Sequence, residues 1–121
     1  SRTSRFADIQ ISGRFQDGGD GQNSLKPGMV MGELRDIIVK VVEDAGYHIP
    51  HGPGHNFGLD IHEQPYICTG SKVTLQPGMV HTIEPGIYIP GIGGVRQEDD
   101  FLITEDGYRR ITNITDALIT L

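Results

Sequence analysis

The sequence predicts an α+β chain in which one amphipathic helix precedes a mainly antiparallel sheet, and three observations carry that prediction. Between Glu33 and Ala45 the apolar residues Leu34, Ile37, Ile38, Val41, Val42 and Ala45 keep the i, i+3, i+4, i+7, i+8, i+11 spacing of a helix with one buried stripe. From Val80 to Thr112, segments rich in β-branched and aromatic residues alternate with turns that carry glycine or proline. The hexapeptide Leu-x-Pro-Gly-Met-Val occurs twice, at Leu25 to Val30 and Leu75 to Val80. Proline fixes the first φ of a type II turn and glycine accepts the positive second one. With two copies and dissimilar sequence after each, this is repeated turn chemistry and not a solenoid.

Taken in order, Phe6 to Phe15 alternates loosely as a strand does, and Asp17 to Ser24 is a polar, glycine-rich turn or flexible loop. Its Asp17 and Asp20 lack the later bidentate Glu of an EF-hand, which argues against calcium. In the helix, Glu33 and Asp36 fall in the first turn, where the dipole favours them, and Gly46 is the expected stop. Arg35, Lys40, Glu43 and Asp44 form a solvated face. Pro65 to Leu75 reads as an irregular connection. Met79 to Ile89 reads as a strand with Glu84-Pro85-Gly86 inside it, and Pro90 to Gly94 turns the chain. Val95 to Thr104 is a second strand, and Glu105-Asp106-Gly107 makes a hairpin to Tyr108–Thr112. Arg96, Glu98 and Asp100 share one face of that second strand, an arrangement open to two readings: an exposed polar face or a set of charges with partners.

Composition bounds the function. A chain of 121 residues is one domain with a modest core. A formal net charge of −6 argues against a nucleic-acid backbone or an anionic membrane as partner. Cys68 is the only cysteine, so no internal disulfide forms, and a reducing, cytoplasmic setting is expected. No apolar run is long enough for a membrane span and no signal peptide is read ahead of Ser1, while a start without Met suggests a processed chain or a fragment.

The chemistry concentrates in His51-Gly-Pro-Gly-His55-Asn-Phe-Gly-Leu-Asp-Ile-His62-Glu63, where three imidazoles stand among small and turn-forming residues. A histidine in such a loop is ordinarily a polar surface residue. His48 is taken as surface, and His81 as a strand residue near the site.

Three fragments lift the other histidines above that ordinary reading. Gly54-His55-x-x-Gly58-Leu59-x-x-His62-Glu63, then Glu84-Pro85-Gly86-x-Tyr88, then Gly94-Val95-Arg96-x-Glu98-Asp99 follow one another in order. Together they resemble the C-terminal half of the creatinase-fold, or pita-bread, metallopeptidases, above all the Xaa-Pro aminopeptidases and dipeptidases, over about Leu25 to Ile114. The resemblance implies half of a pita-bread fold, a curved, mainly antiparallel sheet with the long helix on its convex face. It implies a metal-dependent peptidase that cleaves a peptide bond near the substrate N-terminus through a metal-bound hydroxide. His55, Glu84 and Glu98 would be metal ligands, with Glu98 bridging. His62 and Glu84 would be catalytic, His62 toward the substrate carbonyl and Glu84 as a proton shuttle. His51, Tyr88 and Arg96 would bind substrate, Arg96 by holding a carboxylate. The implied cofactor is a pair of divalent ions, Mn²⁺ first, with Co²⁺, Zn²⁺ or Fe²⁺ as alternatives for such an N/O donor set.

The resemblance also implies two further aspartate ligands from the preceding half of the fold. Asp8 weakly resembles the second, though its spacing to His55 is short for the family, and no residue matches the first. Residues 1–121 are therefore expected to form a single partial domain, with 1–24 flexible or divergent, holding one ion or none and incomplete or inactive alone. Its partners would be a peptide or dipeptide substrate and either a second copy or a missing N-terminal half. The alternative is a non-catalytic pita-bread module that binds peptide or protein.

Overall fold

A computed structural model of the chain describes residues 25–113. The expected strand Phe6 to Phe15, the glycine-rich tract Asp17 to Ser24 and Asp8 lie outside the described residues.

Both hexapeptides form the turns their sequence dictates. Gly28 and Gly78 sit at φ +88° and +89°, and the amides of Met29 and Met79 close the turns onto Lys26 O and Gln76 O, each at 3.2 Å. The two copies also pair with each other. Gly28 N–H donates to Leu75 O, and Leu75 N–H donates back to Met29 O. Leu25 and Leu75 are thereby buried side by side with the helix.

Helix α1 spans Met31–Asp44. It starts two residues before the expected Glu33, because its first amides are capped from outside: Met31 N–H donates to Val73 O at 2.8 Å and Gly32 N–H to Ser71 O at 3.1 Å. The preceding Val30 offers no side-chain cap, so the segment at Ser71 to Thr74 supplies what the local sequence lacks. Part of the expected irregular connection is thus an edge laid along the helix entry, with a bridge between Val30 and Thr74. The helix ends as predicted. Gly46, at φ +87°, donates to Glu43 O, and Tyr47 donates to Val42 O, the paired bonds of a Schellman motif. Met31, Leu34, Ile38, Val39 and Val42 are buried in one cluster with Ile67, Ile83, Ile87, Phe101 and Ile103. Each such side chain contributes about 1.5–3 kcal/mol by leaving water. Ile37 and Val41 only flank that cluster, and Ala45 is exposed at the C-cap.

Among the described residues seven short strands follow: β1 His55–Asn56, β2 Glu63–Tyr66, β3 Val80–Ile83, β4 Gly86–Ile89, β5 Gly93–Arg96, β6 Asp99–Ile103 and β7 Tyr108–Arg110. A five-stranded sheet runs β2-β1-β3-β6-β7, and β4 and β5 form a separate ribbon. Every pairing is antiparallel. The two long strands expected at Met79 to Ile89 and Val95 to Thr104 are each broken once, at Glu84-Pro85 and at Gln97-Glu98. Proline at 85 has no N–H for a ladder, which accounts for the break on its strand.

The break does not shift the register. Ile83 pairs with Asp99 on one side of it, and Gly86 pairs with Arg96 on the other, leaving two residues on each strand between them. Glu84 therefore stands opposite Glu98, and Pro85 opposite Gln97, whose N–H donates to Pro85 O at 3.2 Å. Side-chain parity survives as well. Ile83, Ile87, Phe101 and Ile103 turn into the core, which leaves Thr82, Glu84, Tyr88, Arg96, Glu98 and Asp100 on the opposite face.

Candidate functional site

His55 is not on a loose loop as its glycine-rich surroundings suggest. It is the first residue of β1, 7% exposed, and two hydrogen bonds fix it. Its N–H donates to Thr82 Oγ1 at 3.1 Å. Gly54 makes this close approach feasible, because a Cβ there would drive into the carbonyl oxygen of Thr82. The ring Nδ1 lies 2.9 Å from Asn56 O. A carbonyl only accepts, so Nδ1 carries the proton, and in the neutral imidazole Nε2 carries a free lone pair.

That lone pair faces a second one. His55 Nε2 is 3.5 Å from Glu84 Oε1, with the Glu84 side chain 14% exposed. The Glu84 backbone is anchored where β3 breaks, its N–H donating to Pro53 O at 2.8 Å. Two acceptors at this separation repel unless a proton or a cation lies between them. Arg96 approaches the other carboxylate oxygen, Nε to Oε2 3.8 Å, but is 51% exposed, so water screens the pair and it contributes little.

The remaining residues ring this pair. His62 is exposed on the loop before β2, and its ring centroid is 4.4 Å from that of His55. The loop is tied by Glu63, whose Oε1 accepts the amide of Asp60 at 3.0 Å, and it leaves Leu59 and Ile61 exposed. His51 and Tyr88 form a contact of their own, Nε2 to hydroxyl 2.9 Å. Glu98 lies opposite Glu84 on the exposed segment between β5 and β6. The structure thus brings together His55, Glu84, His62 and Arg96 in one group and His51 with Tyr88 in another. Glu98 shares their face but is not drawn in: among the described residues, no group of three or more His, Cys, Asp and Glu side chains gathers closely enough to hold a metal ion. His55 and Glu84 fit a divalent cation in donor type and direction, and they amount to two ligands, fewer than the three or four protein ligands of a fixed site.

Asp100, Thr82 and Asn56 belong to this site, and sequence reading did not assign them a role. Asp100 has its carboxyl pushed above the usual range by burial and by Glu98 and Asp99, against an opposing pull from His55. Strand parity with Glu84 and Glu98 was the available signal for Thr82 and Asp100. Asn56 works through its backbone carbonyl, which no residue pattern reveals. His48 is exposed, as expected. His81 is in β3, also as expected, but points away from the site into the core, 1% exposed and with neither ring nitrogen hydrogen-bonded. Burial first, and His55 second, lower its pKa to about 4.

Known proteins resemble this chain in sequence and in fold. Residues 20–105 match the profile described as metallopeptidase family M24. The chain is 44% identical over 101 residues to an Xaa-Pro dipeptidase of Lactobacillus delbrueckii subsp. lactis, covering 82% of this chain and 27% of that protein. It is 48% identical over 96 residues to an Xaa-Pro dipeptidase of Pyrococcus furiosus, 78% of this chain and 28% of that one. Among solved structures, the Xaa-Pro dipeptidase from Bacillus anthracis superposes with a TM-score of 0.84 at 35% identity, covering 100% of this chain and 34% of that chain. A dipeptidase from Pyrococcus horikoshii OT3 superposes with a TM-score of 0.85 at 35% identity, again over 100% of this chain and 34% of the other. The chain therefore spans about a third or less of the length of these relatives, and its fold is that expected of part of a pita-bread domain. On these matches and the ordered motifs behind them, the chain belongs to metallopeptidase family M24.

Proposed function

We propose that the chain is the C-terminal, ligand-bearing part of a metal-dependent peptidase of the Xaa-Pro dipeptidase or aminopeptidase type. The observation that carries this reading is the 3.5 Å approach of His55 Nε2 to Glu84 Oε1, two lone-pair donors held face to face while Nδ1 is occupied by Asn56 O. In this reading His55, Glu84 and Glu98 are metal ligands, with Glu98 reaching the site from directly opposite Glu84. An N/O donor set without thiolate suits Mn²⁺ first, with Co²⁺, Zn²⁺ or Fe²⁺ as alternatives. When bound, such ions supply Lewis-acid polarisation of a peptide carbonyl and lower the pKa of water.

The chain's own residues do the rest. His62, exposed beside His55, donates a hydrogen bond to the substrate carbonyl as charge builds on it. Glu84 carries a proton from the attacking water toward the leaving nitrogen. Arg96, half exposed at the edge of the site, binds substrate by holding a carboxylate, and His51 with Tyr88 forms a wall of the substrate pocket. The set of ligands is completed by residues beyond the described ones, from a preceding half of the same fold or from a second copy. We place this single partial domain in the cytoplasm, given its lone Cys68.

Isothermal titration of the chain with Mn²⁺, beside His55→Ala and Glu84→Ala, tests the reading together with hydrolysis of an Xaa-Pro dipeptide. Binding lost in both variants is expected. Binding unchanged in both overturns the ligand assignment. A second reading, a non-catalytic peptide-binding module, is favoured by the lack of a three-ligand group among the described residues. It predicts dipeptide binding without metal and without turnover.

A further inference from the structure

The contact between His51 and Tyr88 rests on two glycines that the motifs leave without a stated purpose. Tyr88 is in β4, its neighbour two residues back on the same face is Gly86, and its partner across the ribbon is Gly94. A Cβ added at Gly86 would lie 2.6 Å from the Tyr88 hydroxyl and 2.8 Å from its ring, and one at Gly94 would lie 2.5 Å from the ring. The aromatic ring therefore occupies the space that a side chain at either glycine would fill. Neither glycine has a positive φ, so backbone freedom does not explain them.

The direction of the hydrogen bonds follows from the carbonyl at one end. Gly52 O, 2.8 Å from His51 Nδ1, only accepts, so Nδ1 carries the proton and Nε2 of the neutral ring accepts from the Tyr88 hydroxyl. His51 and Gly52 belong to the loop that leads through Pro53 to β1, and Pro53 O in turn accepts the amide of Glu84. The Tyr88 bond thus ties the β4-β5 ribbon to the loop that positions both His55 and Glu84.

We propose that Gly86 and Gly94 are positioning residues, which seat Tyr88 so that its hydroxyl reaches His51 and sets the pocket wall. The inference deepens the functional reading above and rests on it for the word pocket. Its test does not require turnover. In the ¹⁵N spectrum of the histidine rings of the full chain, Tyr88→Phe identifies the His51 Nε2 resonance that has lost its donor. Gly94→Ala and Gly86→Ala are each expected to move that resonance to the same place, with the signals of His48 and His81 unmoved. A His51 signal left as in the unmodified chain by both substitutions overturns the proposal. Should Gly94→Ala fail to fold, the pair Gly94→Ala with Tyr88→Ala decides. Folding restored by removing the ring supports the seat, and folding still lost shows that the glycine serves the backbone instead, through Ile87 O, which a Cβ at 94 would meet at 3.1 Å. Because the readout needs neither metal nor substrate, failure of the peptidase reading leaves these outcomes unchanged and distinguishable.

Discussion

The Thr82 hydroxyl accepts the backbone amide of His55 at 3.1 Å, so one side chain on β3 holds a proposed ligand on β1 while a second, Glu84, follows two residues on, just past the end of β3. Backbone pairing between these strands is confined to Asn56 and His81, and the hydroxyl does at His55 what a ladder carbonyl does elsewhere. Thr82→Val keeps the shape and leaves a buried N–H without a partner. A loss of about 1–3 kcal/mol is expected, with weaker Mn²⁺ binding than the stability change alone explains. Thr82→Ser, which keeps the hydroxyl, is expected to restore binding. Urea unfolding beside metal titration checks both.

Gly54→Ala is expected to be more damaging. Its Cβ would be driven into Thr82 O and sit 2.9 Å from Ile67 Cδ1, and backbone cannot yield as the end of a flexible side chain does. β1 must move away from β3, separating His55 from Glu84. Overpacking of this kind costs about 1–3 kcal/mol, more where backbone is the obstacle. Circular dichroism melts, with Gly52→Ala as a milder comparison whose Cβ would only touch Ile67 O at 3.6 Å, distinguish the two.

Much of this was legible in the sequence, and what was not has physical causes. The helix stripe, its glycine stop, both Pro-Gly turns and the 105–107 hairpin are local chemistry, and local chemistry is what periodicity and turn residues encode. The helix start was missed by two residues because its cap comes from Ser71 and Val73, forty residues away in the chain. The breaks at Glu84-Pro85 and Gln97-Glu98 were missed because side-chain parity carries through them in unbroken register. At the site, residue types and order pointed to His55, Glu84 and Glu98, and parity put Arg96 beside Glu98. The supporting contacts of Thr82, Asn56 and Gly54 depend on how closely two strands approach, which no spacing within one strand specifies.

His81 makes stability depend on pH. Its folded pKa is about 4, below the 6.5 of an ordinary imidazole, so the unfolded chain binds the extra proton between those values. Stability is fully present above pH 6.5 and falls as the pH drops toward 4, by on the order of 3 kcal/mol for one group. Asp100, with its pKa raised, acts in the opposite direction, so the difference between proteins is the useful quantity. His81→Leu is expected to flatten the fall in unfolding free energy between pH 7 and pH 4.5. An equally steep fall in the variant would assign the dependence to other groups.

Behind Glu98 lies the buried carboxylate of Asp99, 3% exposed on the core face of β6. Arg110 on β7 reaches it through Nε at 2.9 Å and a second guanidinium nitrogen at 2.6 Å, and Thr112 donates its hydroxyl to the same oxygen at 2.7 Å. Glu98 has no strand of its own, so its position is set by Asp99 on one side and by the Gln97 to Pro85 bond on the other. Arg110→Ala leaves a buried charge with only the Thr112 hydroxyl, and about 3 kcal/mol of destabilisation is expected. If the clamp also sets Glu98, the variant binds Mn²⁺ more weakly under conditions where it is fully folded. Asp99→Asn with Arg110→Met removes both charges together, and it is expected to recover most of the stability, since a buried pair replaced by neutral groups is often close to neutral. Recovery of stability without recovery of metal binding would show that the ion pair positions Glu98 beyond simply holding β6 to β7.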